Sequence, residues 1–211
     1  IWDDHEFGND VWQSFSGDGS NPVGRMAATQ VWSEWVPQVL SESSTIGRVP
    51  NHARDFQRAP VAGEPLGQFD DEYLARNRQN LAAIEAMTSY RAIRWGKLVD
   101  LILTDNRSYR GPGSDPLAPI AGTVQRPALK DALGGSAEFP LFEASTLNLL
   151  AEGRFANGGN PPASITDNGR TFANPRRQAP RVSMLGQRQK SWFKDALRGS
   201  QARWKVWANP E

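Results

Sequence analysis

Between Tyr90 and Leu103 the chain reads "YRAIRWGKLVDLIL". Tyr90 to Trp95 alternates in polarity, Gly96-Lys97 has the composition of a tight turn, and Leu98 to Leu103 is a nearly continuous apolar run. Two such runs around a glycine turn predict a β-hairpin whose second strand is buried. A chain holding this hairpin contains a sheet, so an all-helical fold fits it less well.

Helical periodicity appears on either side. Arg25 to Leu40 predicts a helix, with Met26, Ala27, Val31, Trp32 and Trp35 near a 3.6-residue period and Pro37 near its end. Asp70 to Met87 predicts a second, capped by Asp70 or Asp71, with Leu74, Asn77, Leu81 and Ile84 on one face. Gln187 to Leu197 predicts a third through Gln189, Trp192, Phe193, Ala196 and Leu197, stopped by Gly199. Ile1-Trp2 reads as the end of a buried strand and Trp204 to Ala208 as another. Asp3 to Gly24 and Ser41 to Gln68 read as loops. Gly111 to Pro180 is rich in Pro, Gly, Asn and Ser and is long for a loop in a compact domain. It predicts a surface excursion or lid with one helix around Leu141 to Ala151. The order β-loop-α, hairpin, excursion, α-β fits an α/β sandwich. No internal repeat is present.

Composition narrows the function. The 211 residues suit one domain, with 24 Lys plus Arg against 23 Asp plus Glu and a mean hydropathy of −0.57. Balanced charge gives no electrostatic argument for nucleic acid or an anionic membrane. No apolar run is long enough for a transmembrane helix. Zero cysteines exclude disulfides and thiolate metal ligands within the segment. The eight Trp are read mostly as core: Trp32, Trp35 and Trp192 on helix faces, Trp204 and Trp207 on a strand.

The chemistry concentrates at the start, "IWDDHEFGNDVW". Asp3, Asp4, His5 and Glu6 follow an apolar strand end, the usual place for an α/β active site. Asp, His and Glu are hard or borderline metal ligands, and adjacent ionisable groups disfavour one another unless a cation or partner neutralises them. The bland alternative makes Asp3 and Asp4 turn formers and His5 a cap. His52, the other histidine, lies in a loop without ligand spacing. Asp105-Asn106-Arg107 follows the second hairpin strand, again at a strand end. There Arg107 or Arg110 is placed to fork onto a phosphate, or Asp105 and Arg107 form a structural pair that pins the loop.

"WDDHEFGND" resembles the signature of the alkaline phosphatase D (PhoD-type) metallophosphoesterases: Trp-Asp-Asp-His-Glu, two variable residues, then Asn. Three more stretches resemble that family in the same order. They are "RMAATQVWSEWVP", a helix ending in proline; "YRAIRWGKLVDLILTDNRSYR", a hairpin ending in Asp-x-Arg-x-Tyr-Arg; and "MLGQRQKSWFKDALRGSQARWKVWAN", a Leu-Gly-x-x-Gln-x-x-Trp helix followed by a Trp-Lys-Val strand.

The resemblance implies a four-layer α/β/β/α sandwich and a metal-dependent phosphoesterase acting on small phosphoester substrates. It implies two or more metal ions, calcium and iron by family pattern, with zinc or manganese as substitutes. Asp4 takes the metal-ligand place, with Asp3 as alternative ligand. His5 faces the phosphate, and Arg107 is its candidate catalytic partner. Glu6, Asn9 and Asp105 support these groups. The resemblance also implies an extracytoplasmic location, periplasmic or secreted. It makes residues 1–211 one partial domain with 111–180 as an insertion or lid. The family's upstream Asp-x-x-Tyr and downstream Gly-Asp-x-His ligand motifs, and its iron-ligating cysteine, do not occur in this chain. It therefore reads as an internal piece truncated at both ends. The competing reading is a non-enzymatic phosphate-binding or interaction module. Oligomeric state has no sequence signal. On the enzyme reading, the isolated 211-residue chain shows little or no phosphatase activity with calcium, iron, manganese or zinc. Robust turnover in that assay contradicts the expectation.

Overall fold

The structure is a computed structural model that describes Trp2 and residues 6–8, 11–16, 19–36, 55–65, 67–111, 142–167 and 169–209. These form a mixed α/β arrangement of helices and several small sheets. The chain divides into two compact units. The first comprises Ile1–Asp70, Leu74–Gly111 and Ser183–Glu211; the second comprises Asp71–Tyr73 and Pro112–Val182.

In the first unit a short antiparallel pair, β1 (Phe15–Ser16) and β2 (Gly19–Ser20), leads into helix α1, Pro22–Trp35. The expected loop to Gly24 is thus partly structured, and the helix starts earlier than Arg25. Asn21 Oδ1 accepts from the Gly24 amide at 2.8 Å, and Pro22 opens the first turn where its missing N–H costs nothing. The cap packs so closely that a Cβ at Gly24 would overlap the Asn21 side chain. The helix ends before Leu40 because Val36, which precedes Pro37, is extended. Its buried face is Pro22, Arg25, Met26, Thr29 and Trp32, while Val31 and Trp35 point to solvent.

Helix α2 spans Arg78–Glu85, starting later than Asp70. Gln68 and Tyr73 have positive φ, and Asp70 exchanges bonds with Leu74, so residues 68–74 form a tight turn instead of a helix. Asn80, Ala83 and Ile84 are its buried face, in place of a face through Leu74, Asn77 and Leu81. Met26 packs with Ala83 and Ala86, joining α1 to α2.

The hairpin forms as predicted: β3 (Arg91–Trp95) pairs antiparallel with β4 (Val99–Leu103). Trp95 lies opposite Val99, so the turn holds three residues, Gly96 to Leu98, with Gly96 at positive φ. The helix Gly186–Gly199 then leads to β7 (Trp204–Ala208), which pairs parallel with β4. The sheet order is β3-β4-β7. Trp192 and Ala196 of that helix pack on Tyr90, Ala92 and Ile102. Each large apolar side chain buried there contributes about 1.5–3 kcal/mol.

The other sheet face is not buried, contrary to the core reading of its tryptophans. Trp95, Val99 and Trp204 share one rung, and Leu101 and Val206 the next on that face. Trp95 is 75% exposed, Trp204 61% and Val206 46%. Trp207 faces the helix side, stacking on Phe193 at 5.1 Å, yet is also half open. Of the tryptophans, Trp2, Trp32 and Trp192 are buried.

The second unit contains the helix Ala144–Glu152, near the expected 141–151. It also contains an unexpected hairpin, β5 (Ser164–Asp167) with β6 (Arg170–Ala173). Arg176 binds it from within: Nε donates to the Leu150 carbonyl and one Nη to the Pro180 carbonyl, both at 2.6 Å, with the guanidinium 5.3 Å over Tyr73.

β4 carries one buried carboxylate, Asp100, which accepts from Arg94 and from Ser200 Oγ. Burial is the largest influence and opposes its charge. The bonds from Arg94 and Ser200 and the positive field of Arg94 and Lys205 outweigh it, so its pKa falls below the usual carboxylate range. A depressed pKa adds stability above the unfolded value, about 3.9, that disappears as pH drops through the folded value. Asp100→Asn should lower the melting temperature at pH 7 by roughly 2–4 °C. Its deficit against the wild type should shrink below pH 4. A deficit independent of pH, read by thermal unfolding, refutes this account.

Candidate active site

The carboxyl end of β4 runs into Thr104-Asp105-Asn106-Arg107-Ser108, all buried. Asp105 folds this loop on itself. Its Oδ1 accepts from the Arg107 and Ser108 amides at 3.0 and 2.8 Å, and its Oδ2 from Ser108 Oγ and from Ser89 Oγ at 2.7 Å. The loop is therefore pinned in part by the backbone of Arg107. Both oxygens of Asp105 are thus engaged in holding the loop. Arg107 is buried with it.

Gln189, on the Gly186–Gly199 helix, holds the same loop from the other side. Its Oε1 accepts from the Asp105 amide and its Nε2 donates to the Asp105 carbonyl, both at 2.7 Å. The side-chain amide thus pairs with a peptide as a neighbouring strand would. The Leu185-Gly186-x-x-Gln189-x-x-Trp192 spacing gains a physical reading. Gly186 takes φ +65° against Tyr109, Gln189 holds the loop, and Trp192 packs tilted against Tyr90, ring centroids 4.9 Å apart. Tyr109 lies edge-on to Tyr90 at 5.8 Å. Burial first, then the charge of Asp105, raises the pKa of both tyrosines, with Arg188 opposing, so both stay protonated.

The opening segment reaches this loop through Gln13 and Arg25. Gln13 is fully buried with positive φ. Its amide donates to the Arg107 carbonyl at 2.7 Å and its Nε2 to the Arg110 carbonyl at 2.9 Å. Its Oε1 accepts from the Ala75 amide and Asn80 Nδ2. Its carbonyl accepts from Arg25. The second arm of the Arg25 fork donates to Ser108 Oγ, which passes the polarity on to Asp105. The guanidinium also lies 5.0 Å over the ring of Trp2. Burial lowers the Arg25 pKa, and Asp105 and Tyr109 push it back. Two buried donors of this stack, Arg25 Nε and Trp2 Nε1, have no hydrogen-bond acceptor among the described residues.

Of the residues predicted from sequence, Asp105 and Arg107 lie on the loop that Arg25 and Ser108 link to Trp2, the immediate neighbour of Asp3. Glu6 is half-buried. Asp3, Asp4, His5, Asn9 and His52 lie outside the described residues. Among the described residues no group of three or more His, Cys, Asp or Glu side chains could hold a metal ion. Gln13, Ser108 and Asn80 went unnoticed in the sequence. Gln189 did leave a signal there, as a polar residue on an otherwise apolar helix face, whereas Arg25 did not.

Compared with known families, the chain matches the model described as PhoD-like phosphatase over residues 1–210. It belongs to the PhoD-like phosphatase family. No curated protein and no solved structure matches it. For a PhoD-like phosphatase the hydrolytic class and the phosphoester bond follow from membership. No helix among the described residues is long and apolar enough to cross a membrane.

The Gln13 network sets a stability requirement within this PhoD-like fold. Gln13→Ala removes the side-chain bonds to the Ala75 amide, Asn80 Nδ2 and the Arg110 carbonyl, buried hydrogen bonds whose loss costs about 1–3 kcal/mol each. Urea unfolding should show a loss of roughly 3–5 kcal/mol. A loss under about 1 kcal/mol contradicts the assignment.

Proposed function

We propose that this chain carries part of the centre of a metal-dependent phosphoester hydrolase, of alkaline phosphatase or phosphodiesterase type. The observation that carries the reading is the convergence of Trp2, Arg25 and the Asp105–Ser108 loop in one buried network at the end of β4. Trp2, which that network holds, directly precedes Asp3-Asp4-His5-Glu6 in the sequence.

The donor chemistry of Asp3 and Asp4 suits hard or borderline cations. Asp4 would hold a metal, with Asp3 as alternative or additional ligand, and calcium and iron are the ions the family pattern favours. Such cations supply Lewis acidity and lower the pKa of bound water. The remaining work falls to side chains. Hydrolysis adds a water oxygen to phosphorus and breaks the bond to the ester oxygen, which leaves needing a proton. His5 donates that proton or binds a phosphate oxygen. Glu6 orients the imidazole and Asn9 donates nearby. Arg107 neutralises phosphate charge. Asp105 holds the loop that carries Arg107.

The four-layer sandwich belongs to the same reading. The open face of Trp95, Leu101, Trp204 and Val206 is the surface onto which a second sheet would pack. Residues 111–180 are then an insertion or lid, and an extracytoplasmic location accompanies the family pattern. In the intact protein, His5→Ala should cut phosphoester turnover by roughly 10²–10⁴-fold while leaving thermal unfolding nearly unchanged. Unchanged turnover removes His5 from its role.

A further inference from the structure

We infer that Arg25 is a positioning residue: its guanidinium clamps the chain entering the Asp3-Asp4-His5 run to the Asp105–Ser108 loop. The inference rests on the proposed hydrolysis and names the residue that sets the geometry of its two halves.

Arg25 is almost wholly buried on a helix face otherwise formed by Pro22, Met26, Thr29 and Trp32. A guanidinium there carries a large desolvation cost and would be replaced by an apolar side chain if packing were its only purpose. Its contacts explain its retention. One arm binds the Gln13 carbonyl, in the segment that follows the acidic-histidine run. The other binds Ser108, whose hydroxyl donates to Asp105. The flat of the ion faces the Trp2 ring, in the residue that precedes the run. Arg25 therefore touches the chain both before and after Asp3-Asp4-His5, and the loop that carries Arg107.

Lysine cannot substitute. It has charge but no planar fork, so it cannot bind Gln13 and Ser108 while lying flat on Trp2. The Thr29 hydroxyl, which donates to the Arg25 carbonyl at 2.8 Å, further holds this turn of the helix. Among the described residues Arg25 is enclosed by Trp2, Gln13 and Ser108, so its loss should act on the precision of the site and not on substrate affinity.

The test compares Arg25→Lys and Ser108→Ala with wild type in the intact protein. A chromogenic phosphoester reports kcat and KM, and amide hydrogen exchange reports order along residues 2–16 and 104–110. Positioning predicts that Arg25→Lys lowers kcat by roughly 10–100-fold with KM within about twofold. Exchange should accelerate about tenfold in both segments and stay unchanged in the hairpin Arg91–Leu103. Ser108→Ala, which removes one arm of the clamp, should show the same pattern in smaller degree and carries the test if Arg25→Lys does not fold. A kcat per folded molecule equal to wild type overturns the inference, as does a KM rise with kcat preserved. Failure of wild type to hydrolyse any phosphoester overturns the functional reading instead. The exchange data then decide the clamp alone, and unaltered exchange in residues 2–16 and 104–110 overturns it.

Discussion

Gln13 is one buried side chain on which several otherwise separate segments depend. A peptide group hidden from water must find a partner inside the protein or lose its hydrogen bond outright. The Ala75 amide, before α2, and the Arg110 carbonyl, after the β4 loop, both find theirs on the Gln13 amide. The Arg107 carbonyl finds its partner on the Gln13 backbone. Asn80 repeats the device, bonding the Ser14 amide, the Ala75 carbonyl and Gln13. Loops that would each need water are closed by two amides. Side-chain amides suit this role because each offers a donor and an acceptor in one plane, as a peptide does.

The same logic positions the Gly186–Gly199 helix. Its apolar stripe of Trp192 and Ala196 holds it against the sheet without dictating how far it slides. The paired bonds between Gln189 and Asp105 set that register, because hydrogen bonds are directional where apolar contact is not. The parallel pairing of β4 with β7 then brings both strand ends to one side. There the Thr104 amide donates to the Ala208 carbonyl at 3.0 Å and the Trp207 indole to Thr104 Oγ1 at 2.8 Å. The end of the sheet is thus a hydrogen-bonded rim, as befits the place where chemistry is built on α/β sheets.

Periodicity made the hairpin and the Gly186–Gly199 helix legible, since both bury a regular stripe. It failed for α1, where Arg25 and Thr29 occupy the buried face and Val31 and Trp35 do not. Polarity patterns assume that charge faces water, and Arg25 is buried because its partners come from residues distant in sequence. It failed again at residues 68–74, where positive φ at Gln68 and Tyr73 leaves no trace in hydropathy. The β5–β6 hairpin was legible in principle: Asn168-Gly169 between two short threonine-containing runs is a strong turn signal. Around the site, the motif residues Asp105 and Gln189 were visible as letters. Their pairing was not, because a peptide captured by a side-chain amide has no local pattern.

Arg25 and Asp105 also differ in kind from the Arg94–Asp100 pair. Arg94 is about a third exposed, so solvent reaches the arginine of that pair although Asp100 is buried. Arg25 and Asp105 are both buried and communicate through a single hydroxyl, Ser108. A buried pair separated in this way recovers its desolvation cost poorly, and an apolar cluster would be at least as stable. What it gains over an apolar cluster is direction. Ser108 can accept from Arg25 and donate to Asp105 in only one arrangement, and the guanidinium plane fixes where Trp2 lies. A fold selected only for stability has no use for that arrangement. A fold that must hold Trp2, α1 and the loop after β4 in one fixed relation does.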